Sequence, residues 1–383
     1  MALGIALLVA AAVAAWAWES RRRRRHPVSA GLHPEIEIPH EAEFELYHNA
    51  LSLCSMKTRV CLAELGIAYK SHPIDLIETG SYQNIGRRFL AVNPGGTVPV
   101  LVHQGHPVYE SHEQIRYAAD HAPPGSPALV PEDPVLRDEM QHWIDRSSLT
   151  DDPLNHGDES AGNAVPGLTV PLFAAMIDRI PVRKILEGLL FHFDKKRPLV
   201  FLVFKLWGLE RLGGLPPATR AIARSRRQMA VHLDALEERL REGGGPWILG
   251  ETFSLADLSW LVIFERLVQA DHLATFPGAG RRPECTAWWE RLQRRPSYRD
   301  AILDDSHPTI AYGTKRLRAS RAIPSGSLRS RSRSSRSLPS QANNSSSSKS
   351  RQSLKISGSL WGWIVTSAIV ESWNWTIDLL KRK

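Results

Sequence analysis

The chain has 383 residues, which is too long for one ordinary domain and predicts two packed domains with additional segments. The hydrophobic fraction of 43% is enough for real cores. Its three cysteines, Cys54, Cys61 and Cys285, cannot form a disulfide framework and match no zinc pattern, so we expect a reducing compartment and no bound metal. The net charge of +8 is concentrated near the two ends of the chain, so it does not indicate a nucleic-acid partner.

The first eighteen residues carry no charged side chain and are followed by Glu19, Ser20 and five arginines. As a helix they would span roughly 27 Å, close to the hydrocarbon thickness of a bilayer. A cleaved signal peptide is the alternative, but such peptides carry positive charge before the apolar region. We therefore expect residues 1–25 to form a membrane anchor with a single N-terminal span. The arginines should keep all that follows on the cytosolic side.

Residues 26–42 are rich in Pro and His and are predicted to be a spacer. From residue 43 to residue 122, strand and helix patterns alternate. The predicted elements are a strand at 44–48, a helix at 57–65, a strand at 68–74, a helix at 82–92, a hairpin at 98–109 and a helix at 113–121. The order β-α-β-α-β-β-α predicts a thioredoxin-like α/β domain.

Residues 132–305 show helical patterns and no convincing strand, which predicts an all-α second domain. Its clear helices are expected at 135–147, 219–241, 255–270 and 284–294, and the third of them begins with a capping box, Ser254 to Asp257, that we assign to folding. A long insertion, 149–217, contains two apolar patches too short to span a bilayer. We expect it to form extra helices packed on the second domain; an interaction or membrane-surface loop is the alternative.

The C-terminal part is expected to lie outside both domains. Residues 313–355 are rich in Ser and Arg and predict a disordered tail. Their Arg-Ser steps are similar to those of RNA-associated tails, but beside a membrane anchor a solvated tail, or one touching anionic lipid, fits better. Residues 356–383 contain four tryptophans and predict an amphipathic helix at the membrane interface.

Four segments occur in the order found in glutathione transferases. They are YHNALSLCSMKTRV at 47–60, NPGGTVPVL at 93–101, YES at 109–111 and PWILGETFSLAD at 246–257. The first resembles the catalytic turn of serine-type enzymes, especially the zeta class (maleylacetoacetate isomerase-like), and still more closely the ganglioside-induced differentiation-associated proteins. The resemblance covers about residues 44–303. It implies the glutathione transferase fold, a thioredoxin-like domain plus an all-α domain, with glutathione as cosubstrate.

Two residues of the first segment are candidates for catalysis. Ser52 lies in the turn before a helix, where free N–H groups and the helix dipole favour an anion, so its hydroxyl can stabilise the glutathione thiolate. A plain helix N-cap is the structural alternative. Cys54 lies in the same turn and can form a mixed disulfide with glutathione. Position 57 holds Lys57 instead of a second cysteine, which excludes dithiol exchange.

The other segments supply candidates for binding. Val98 and Pro99 resemble the family's cis-proline turn, whose backbone edge pairs with the cysteinyl part of glutathione. Ser111 opens a predicted helix and can bind the γ-glutamyl carboxylate, while Glu110 faces the ammonium. Helix capping is the alternative for this pair.

We therefore expect a glutathione transferase that presents a glutathione thiolate to a small electrophile, by conjugation or isomerisation. Two alternatives stay open: a membrane-anchored glutathione-binding module with little catalysis, and a monothiol reductase that uses Cys54. The resemblance is compatible with a homodimer, and the sequence does not name the electrophile.

Overall fold

The structure is a computed structural model and describes residues 2–149, 158–276 and 280–322. The first half contains α1 (Ala2–Arg22), β1 (Gly31–Leu32), β2 (Phe44–His48), α2 (Leu53–Glu64), β3 (Lys70–Pro73), α3 (Arg87–Leu90), β4 (Val100–His103), β5 (His106–Tyr109), α4 (Ser111–Asp120) and α5 (Pro134–Ser147). The second half contains α6 (Ala161–Met176), α7 (Val182–Phe191), α8 (Lys196–Trp207), α9 (Pro216–Glu242), α10 (Leu255–Gln269), α11 (Pro283–Gln293), α12 (Pro296–Tyr298) and α13 (Pro308–Ala322).

The four predicted strands and one unpredicted strand, β1, form a sheet in the order β1-β5-β4-β2-β3. Strands β2 and β3 are parallel, and the other pairs are antiparallel. One face of the sheet, with Leu46 and Leu101, shares a core with Val60 of α2 and Ile115 of α4. The thioredoxin-like fold class is therefore confirmed. Helix α2 begins at Leu53, four residues before the predicted start, because Ser52 caps it.

The segment 26–42 is not a spacer, contrary to our prediction. Strand β1 pairs with β5 through Gly31 opposite Tyr109, and so adds a fifth strand at the edge of the sheet. Ile38 is buried, and it packs on the second face of the sheet. The Ile38 N–H donates to the Gly105 carbonyl at 2.7 Å. Three apolar side chains scattered among Pro and His cover this face, a pattern too irregular to show as periodicity. They are Val28, Ile36 and Ile38.

The second domain is all-α, as predicted, with α10 at its centre. The capping box at the start of α10 is present: Ser254 accepts from the Ala256 N–H, and Asp257 accepts from the Ser254 N–H. Asp257 also accepts from the Trp288 indole at 2.8 Å, and burial raises the pKa of this carboxyl to about 6. The box therefore joins α10 to α11, which fits its assignment to folding.

The insertion 149–217 forms helices, as expected, but it packs on both domains rather than on the second alone. Helix α6 belongs to the core of the second domain, where it packs on α9 and α13. Helices α7 and α8 cover Ile77 and Tyr82 of the first domain. Helix α7 approaches so closely at Gly188 that a Cβ there would overlap the Tyr82 ring. The glycine permits this contact, and no hydropathy pattern predicts it.

The predicted tail begins later than expected, because residues 313–322 continue helix α13. Ile310 and Leu317 of this helix are buried against the second domain. The rest of the predicted tail and the Trp-rich segment 356–383 lie outside the described residues. At the other end, α1 is long and apolar enough to cross a membrane, and none of its residues is buried.

Two buried arginines connect the domains. Arg59 of α2 donates to the Ala301 carbonyl at 2.9 Å and forms an ion pair with Asp305 at 2.6 Å. Arg266 of α10 donates to the Leu51 carbonyl, directly before Ser52. The turn between β2 and α2 is therefore held from both domains.

Candidate active site

Ser52 is the N-cap of α2. Its backbone is extended, and its hydroxyl oxygen accepts from the Ser55 N–H at 3.3 Å. The hydroxyl hydrogen points to the Val98 carbonyl at 3.5 Å, which is a long hydrogen bond. Ser52 is only half-buried, so the hydroxyl can donate to another acceptor that enters the site. The N-cap alternative and the catalytic prediction are thus compatible, since the cap uses the oxygen and leaves the hydrogen weakly bound.

The turn that presents Ser52 is fixed by Asn49. The Asn49 amide oxygen accepts from the Leu51 N–H at 2.9 Å, and its NH₂ donates to the Ile74 carbonyl and to Thr79. Leu51 packs against Leu172 of α6 and other apolar residues of the second domain. Because both sides of the turn are held, the Ser52 hydroxyl has little freedom to move away from the end of α2.

Val98 and Pro99 lie directly beside Ser52, as the motif predicted, and the peptide bond between them is cis. Strand β4 begins two residues later, at Val100. The Pro99 carbonyl accepts from the amide of Gln114, a fully buried residue of α4, at 3.0 Å. Gln114 in turn accepts from Thr58 of α2 at 2.8 Å. One side chain thus ties the proline turn to both helices of the site.

Glu110 and Ser111 lie at the start of α4. Glu110 is exposed and has a positive φ of 67°, a backbone conformation that few residues other than glycine adopt. Such positions are found at ligand sites more often than elsewhere. Ser111 is buried and is the first residue of the helix. The side chain of Glu110 makes no capping hydrogen bond, so the capping alternative does not account for it.

Cys54 is the second residue of α2 and is exposed, whereas the other two cysteines are buried. Burial raises the pKa of the thiols of both Cys61 and Cys285, which keeps them protonated. Cys54 is therefore the one cysteine of the chain that is accessible for chemistry, and it lies two residues from Ser52 at the same helix end.

Lys57 is a buried cation at the edge of this site, only 5% exposed. Its Nζ lies 3.4 Å from Nε2 of His112, and the hydroxyl of Ser148, the residue after α5, lies 3.0 Å from the same nitrogen. Burial lowers the pKa of Lys57, and the neighbouring Cys54 and Glu110 oppose this shift. The Lys57 charge, together with burial, lowers the pKa of His112 to about 3. The desolvated charge of Lys57 therefore lies close to both Cys54 and Glu110.

A second cation, Arg25, reaches the same region from the segment after α1. Its guanidinium lies 4.5 Å from the ring centroid of Phe193, just beyond α7. Burial lowers the pKa of Arg25, and the charge of Glu110 opposes the shift. The segment is held by the His26 N–H, which donates to the Pro94 carbonyl at 2.9 Å. The N-terminal segment and the insertion therefore meet at the edge of the site.

The structure thus brings the predicted residues together through contacts between neighbours. Ser52 contacts Val98, and Gln114 links the proline turn to the helix that begins at Ser111. Our sequence reasoning missed Lys57, Gln114 and Arg25 as site residues. For Lys57 no signal existed, because it was the first residue of the predicted helix, where a charged side chain is ordinary. For Arg25 none existed, because it belongs to a run of five arginines.

Comparisons with known proteins agree with this architecture. The family described as the N-terminal domain of glutathione S-transferases matches residues 51–121, and its C-terminal counterpart matches residues 220–291. Glutathione S-transferase F9 of Arabidopsis thaliana is 24% identical over 65% of this chain and 92% of its own length. Tetrachloro-P-hydroquinone reductive dehalogenase of Sphingobium chlorophenolicum is 24% identical over 68% of this chain and 95% of its own length.

Among solved structures, beta-etherase LigF from Sphingobium sp. strain SYK-6 is similar in fold. It superposes with a TM-score of 0.51 at 22% identity, and the match covers 69% of this chain and all of LigF. The two family matches occur in the order of the two observed domains, and the relatives extend over nearly their whole lengths. The chain therefore contains both glutathione S-transferase domains, N-terminal and C-terminal, in the order of the family.

Proposed function

We propose that this protein is a glutathione transferase in which Ser52 stabilises the thiolate of bound glutathione. The observation that carries the proposal is the position of Ser52: it caps α2, while its hydroxyl hydrogen makes only a long bond to Val98. A sulfur placed there would accept this hydrogen and face the positive end of the helix dipole. Both effects stabilise the thiolate over the thiol, which is the step that makes glutathione nucleophilic at neutral pH.

The remaining site residues fit the other parts of glutathione. The backbone at Val98 and Pro99 would pair with the cysteinyl unit. Ser111, at the start of α4, would bind the γ-glutamyl carboxylate, with Glu110 facing the ammonium. Lys57 adds a buried positive charge near both, and a carboxylate of the ligand would neutralise it. The thiolate would then attack an electrophilic carbon, forming a carbon–sulfur bond as the leaving group departs.

Calorimetry with glutathione, run beside a conjugation assay with an activated chloroarene, tests this proposal. We expect saturable glutathione binding and release of chloride at a rate that depends on enzyme concentration. Binding without turnover on a panel of electrophiles would favour the glutathione-binding module over the enzyme. No binding at all would overturn the proposal.

The binding roles at the start of α4 give a separate prediction. Ser111→Ala and Glu110→Gln should each weaken glutathione binding by about 1 to 3 kcal/mol, because each removes a charge-assisted hydrogen bond. Ser126→Ala is a matched control, since Ser126 donates to the Leu65 carbonyl of the same domain away from this site. Titration calorimetry measures the glutathione affinity of each variant, and thermal melting measures its stability. If Ser111→Ala lowered stability as much as binding, a structural cap would explain it better.

A second candidate function, a monothiol reductase, is favoured by the exposure of Cys54 at the end of α2. A Cys54 thiolate would attack the sulfur of a glutathione mixed disulfide, and the substrate thiol would leave. One relative is named a reductive dehalogenase and another a reductive dechlorinase, which makes redox chemistry with glutathione worth testing here.

Cys54→Ser should therefore abolish any reduction of glutathionylated peptides but leave conjugation within about threefold, because the hydroxyl is a far poorer nucleophile than the thiolate. Both rates are measured on the same protein sample, with Ser52→Ala as the reciprocal control. If conjugation is lost with Cys54 and kept in Ser52→Ala, the two residues have exchanged roles.

We further propose that α1 anchors the protein in a membrane with its domains on the cytosolic side. Residues 2–15 are all exposed, and Trp16 is held against the fold by its indole, which donates to the Leu190 carbonyl at 3.3 Å. Apolar side chains left in water over this length are stable only if lipid or protein covers them.

Deleting residues 2–15 should move the protein from the membrane fraction to the soluble fraction and leave glutathione affinity unchanged, because Trp16 and Arg25 are kept. Deleting residues 323–383 is the control, which tests whether the other end of the chain holds the protein on the membrane. Fractionation and calorimetry provide the readouts. A soluble full-length product whose mature N-terminus follows residue 20 would identify a signal peptide instead.

A further inference from the structure

Helix α7 presents an apolar stripe to solvent. Val182, Leu186 and Leu190 are spaced four residues apart and lie on one face of the helix, and Phe193 follows directly after it. These side chains are between 46% and 51% exposed. The opposite face of α7 is buried against Tyr82, so the helix cannot rotate to hide the stripe. Three large apolar residues on one face of a well-packed helix, with a fourth just beyond its end, indicate a surface that contacts something else.

The end of this stripe touches α1. The Trp16 indole donates to the carbonyl of Leu190 itself, at 3.3 Å. Arg23 forms an ion pair with Glu187 at 3.1 Å and lies over the Phe191 ring at 4.6 Å. Tryptophan and arginine are the residues that mark the membrane–water interface of a spanning helix. Helix α7 is therefore attached at the depth where α1 would leave the bilayer.

The charges around the stripe are those that an anionic surface attracts. Seven cationic side chains are exposed on α1, α3, α7 and the segments directly after α1 and α7: Arg21, Arg22, Arg24, Arg87, Arg88, Arg183 and Lys195. The two acids nearest the contact between α1 and α7, Glu19 and Glu187, both pair with Arg23. Basic residues close to a bilayer of anionic lipid each contribute about 1 kcal/mol to binding.

We propose that the exposed face of α7 lies on the anionic bilayer surface into which α1 inserts. The proposal rests on the membrane anchor proposed above. It explains why the insertion approaches the first domain so closely: α7 would be a second contact that fixes how the domains are oriented on the membrane. Arg25, at the edge of the glutathione site, lies over the Phe193 ring. The contact of α7 with lipid would therefore also place that edge near the lipid surface. The ligand for the stripe is thus lipid, not a second copy of the chain.

Depth-dependent fluorescence quenching in the full-length protein tests the proposal. In a Cys54→Ser background, single cysteines are placed at three exposed positions, Leu8→Cys in α1, Leu186→Cys in α7 and Val135→Cys in α5, and each is labelled with an environment-sensitive dye. The proteins are reconstituted into vesicles of phosphatidylcholine and phosphatidylserine that carry nitroxide-labelled lipid. Circular dichroism checks that each variant is folded.

We expect the nitroxide lipid to reduce the emission at positions 8 and 186 by about half or more, and to leave position 135 unchanged, as for a helix lying at the interface. Quenching at position 8 with none at position 186 would overturn the role of α7 and keep the anchor. Quenching at 186 without quenching at 8 would support α7 and reject α1 as the anchor. Protection of position 186 from water without lipid quenching would instead identify contact with a second copy, and would also overturn the proposal.

Discussion

Ser52→Ala should reduce conjugation by about ten- to a thousandfold, since one hydrogen-bond donor to a developing or resident anion accounts for effects of this size. The pKa of bound glutathione should rise, because the thiolate loses its donor and keeps only the helix dipole. Absorbance of the enzyme-bound thiolate against pH measures this shift directly. The fold should survive, with a loss of about 1 kcal/mol from the missing N-cap.

Ser254→Ala is a matched control for this experiment. Ser254 is also the N-cap of a helix, α10, and its oxygen accepts from the Ala256 N–H, but it contacts none of the predicted site residues. The variant should lose stability without a shift in the thiolate titration. Equal rates for Ser52→Ala and the native protein would reject Ser52 as the thiolate donor and leave it as a cap alone.

Lys57→Met should weaken glutathione binding by about ten- to a hundredfold, because the variant removes a desolvated charge that the ligand carboxylate would neutralise. Stability should stay the same or increase, since methionine fills a similar volume and its burial carries no desolvation penalty for a charge. Opposite effects on binding and stability distinguish a ligand-binding lysine from one that supports the fold. Calorimetry and thermal melting measure the two quantities.

The pH dependence gives a further test of Lys57. Its pKa is lowered in the folded chain, so above that pKa the unfolded chain binds the proton that the folded chain has lost. Stability should therefore rise with pH from the lowered pKa up to the ordinary lysine value, and glutathione binding should fall over the same range. Lys57→Met should remove both slopes. Lys70→Met, which removes a lysine that is already paired with Glu41, should remove neither. A loss of binding that is the same for both lysines would contradict the proposal.

The motifs were sufficient to predict the fold, and they named most residues of the candidate site. Ser52, Val98 and Ser111 were each placed by a short local pattern, and their contacts depend mostly on neighbours in the same turn or at the adjacent strand end. The sheet order follows from the same patterns, because a β-α-β unit followed by a hairpin leaves few arrangements. For these parts, local sequence and tertiary structure agree.

What the sequence did not reveal are contacts made across long separations. Gln114 and Lys57 appear in sequence as ordinary polar residues of a helix, and only the packing of α2 on α4 makes them buried. Segment 26–42 has no periodicity, because it is shaped by the edge strand and sheet face that it covers. The position of α7 depends on Gly188, which lets the helix approach the Tyr82 ring closely. In each case the partner, and not the segment itself, determines the structure.

The ion pair of Arg59 restricts how this protein can be divided into parts. Its guanidinium is buried at the contact between the two domains, since its carboxylate partner, Asp305, and the Ala301 carbonyl belong to the second. A truncated chain that ended after α4 would lose this ion pair and the packing of the second domain on α2, so we expect the thioredoxin-like half to be much less stable by itself. The thioredoxin-like half is consequently not an autonomous module. A fusion that transfers this domain to another transferase would have to keep an acid at the position of Asp305. Otherwise Arg59 would have to be replaced by an uncharged residue.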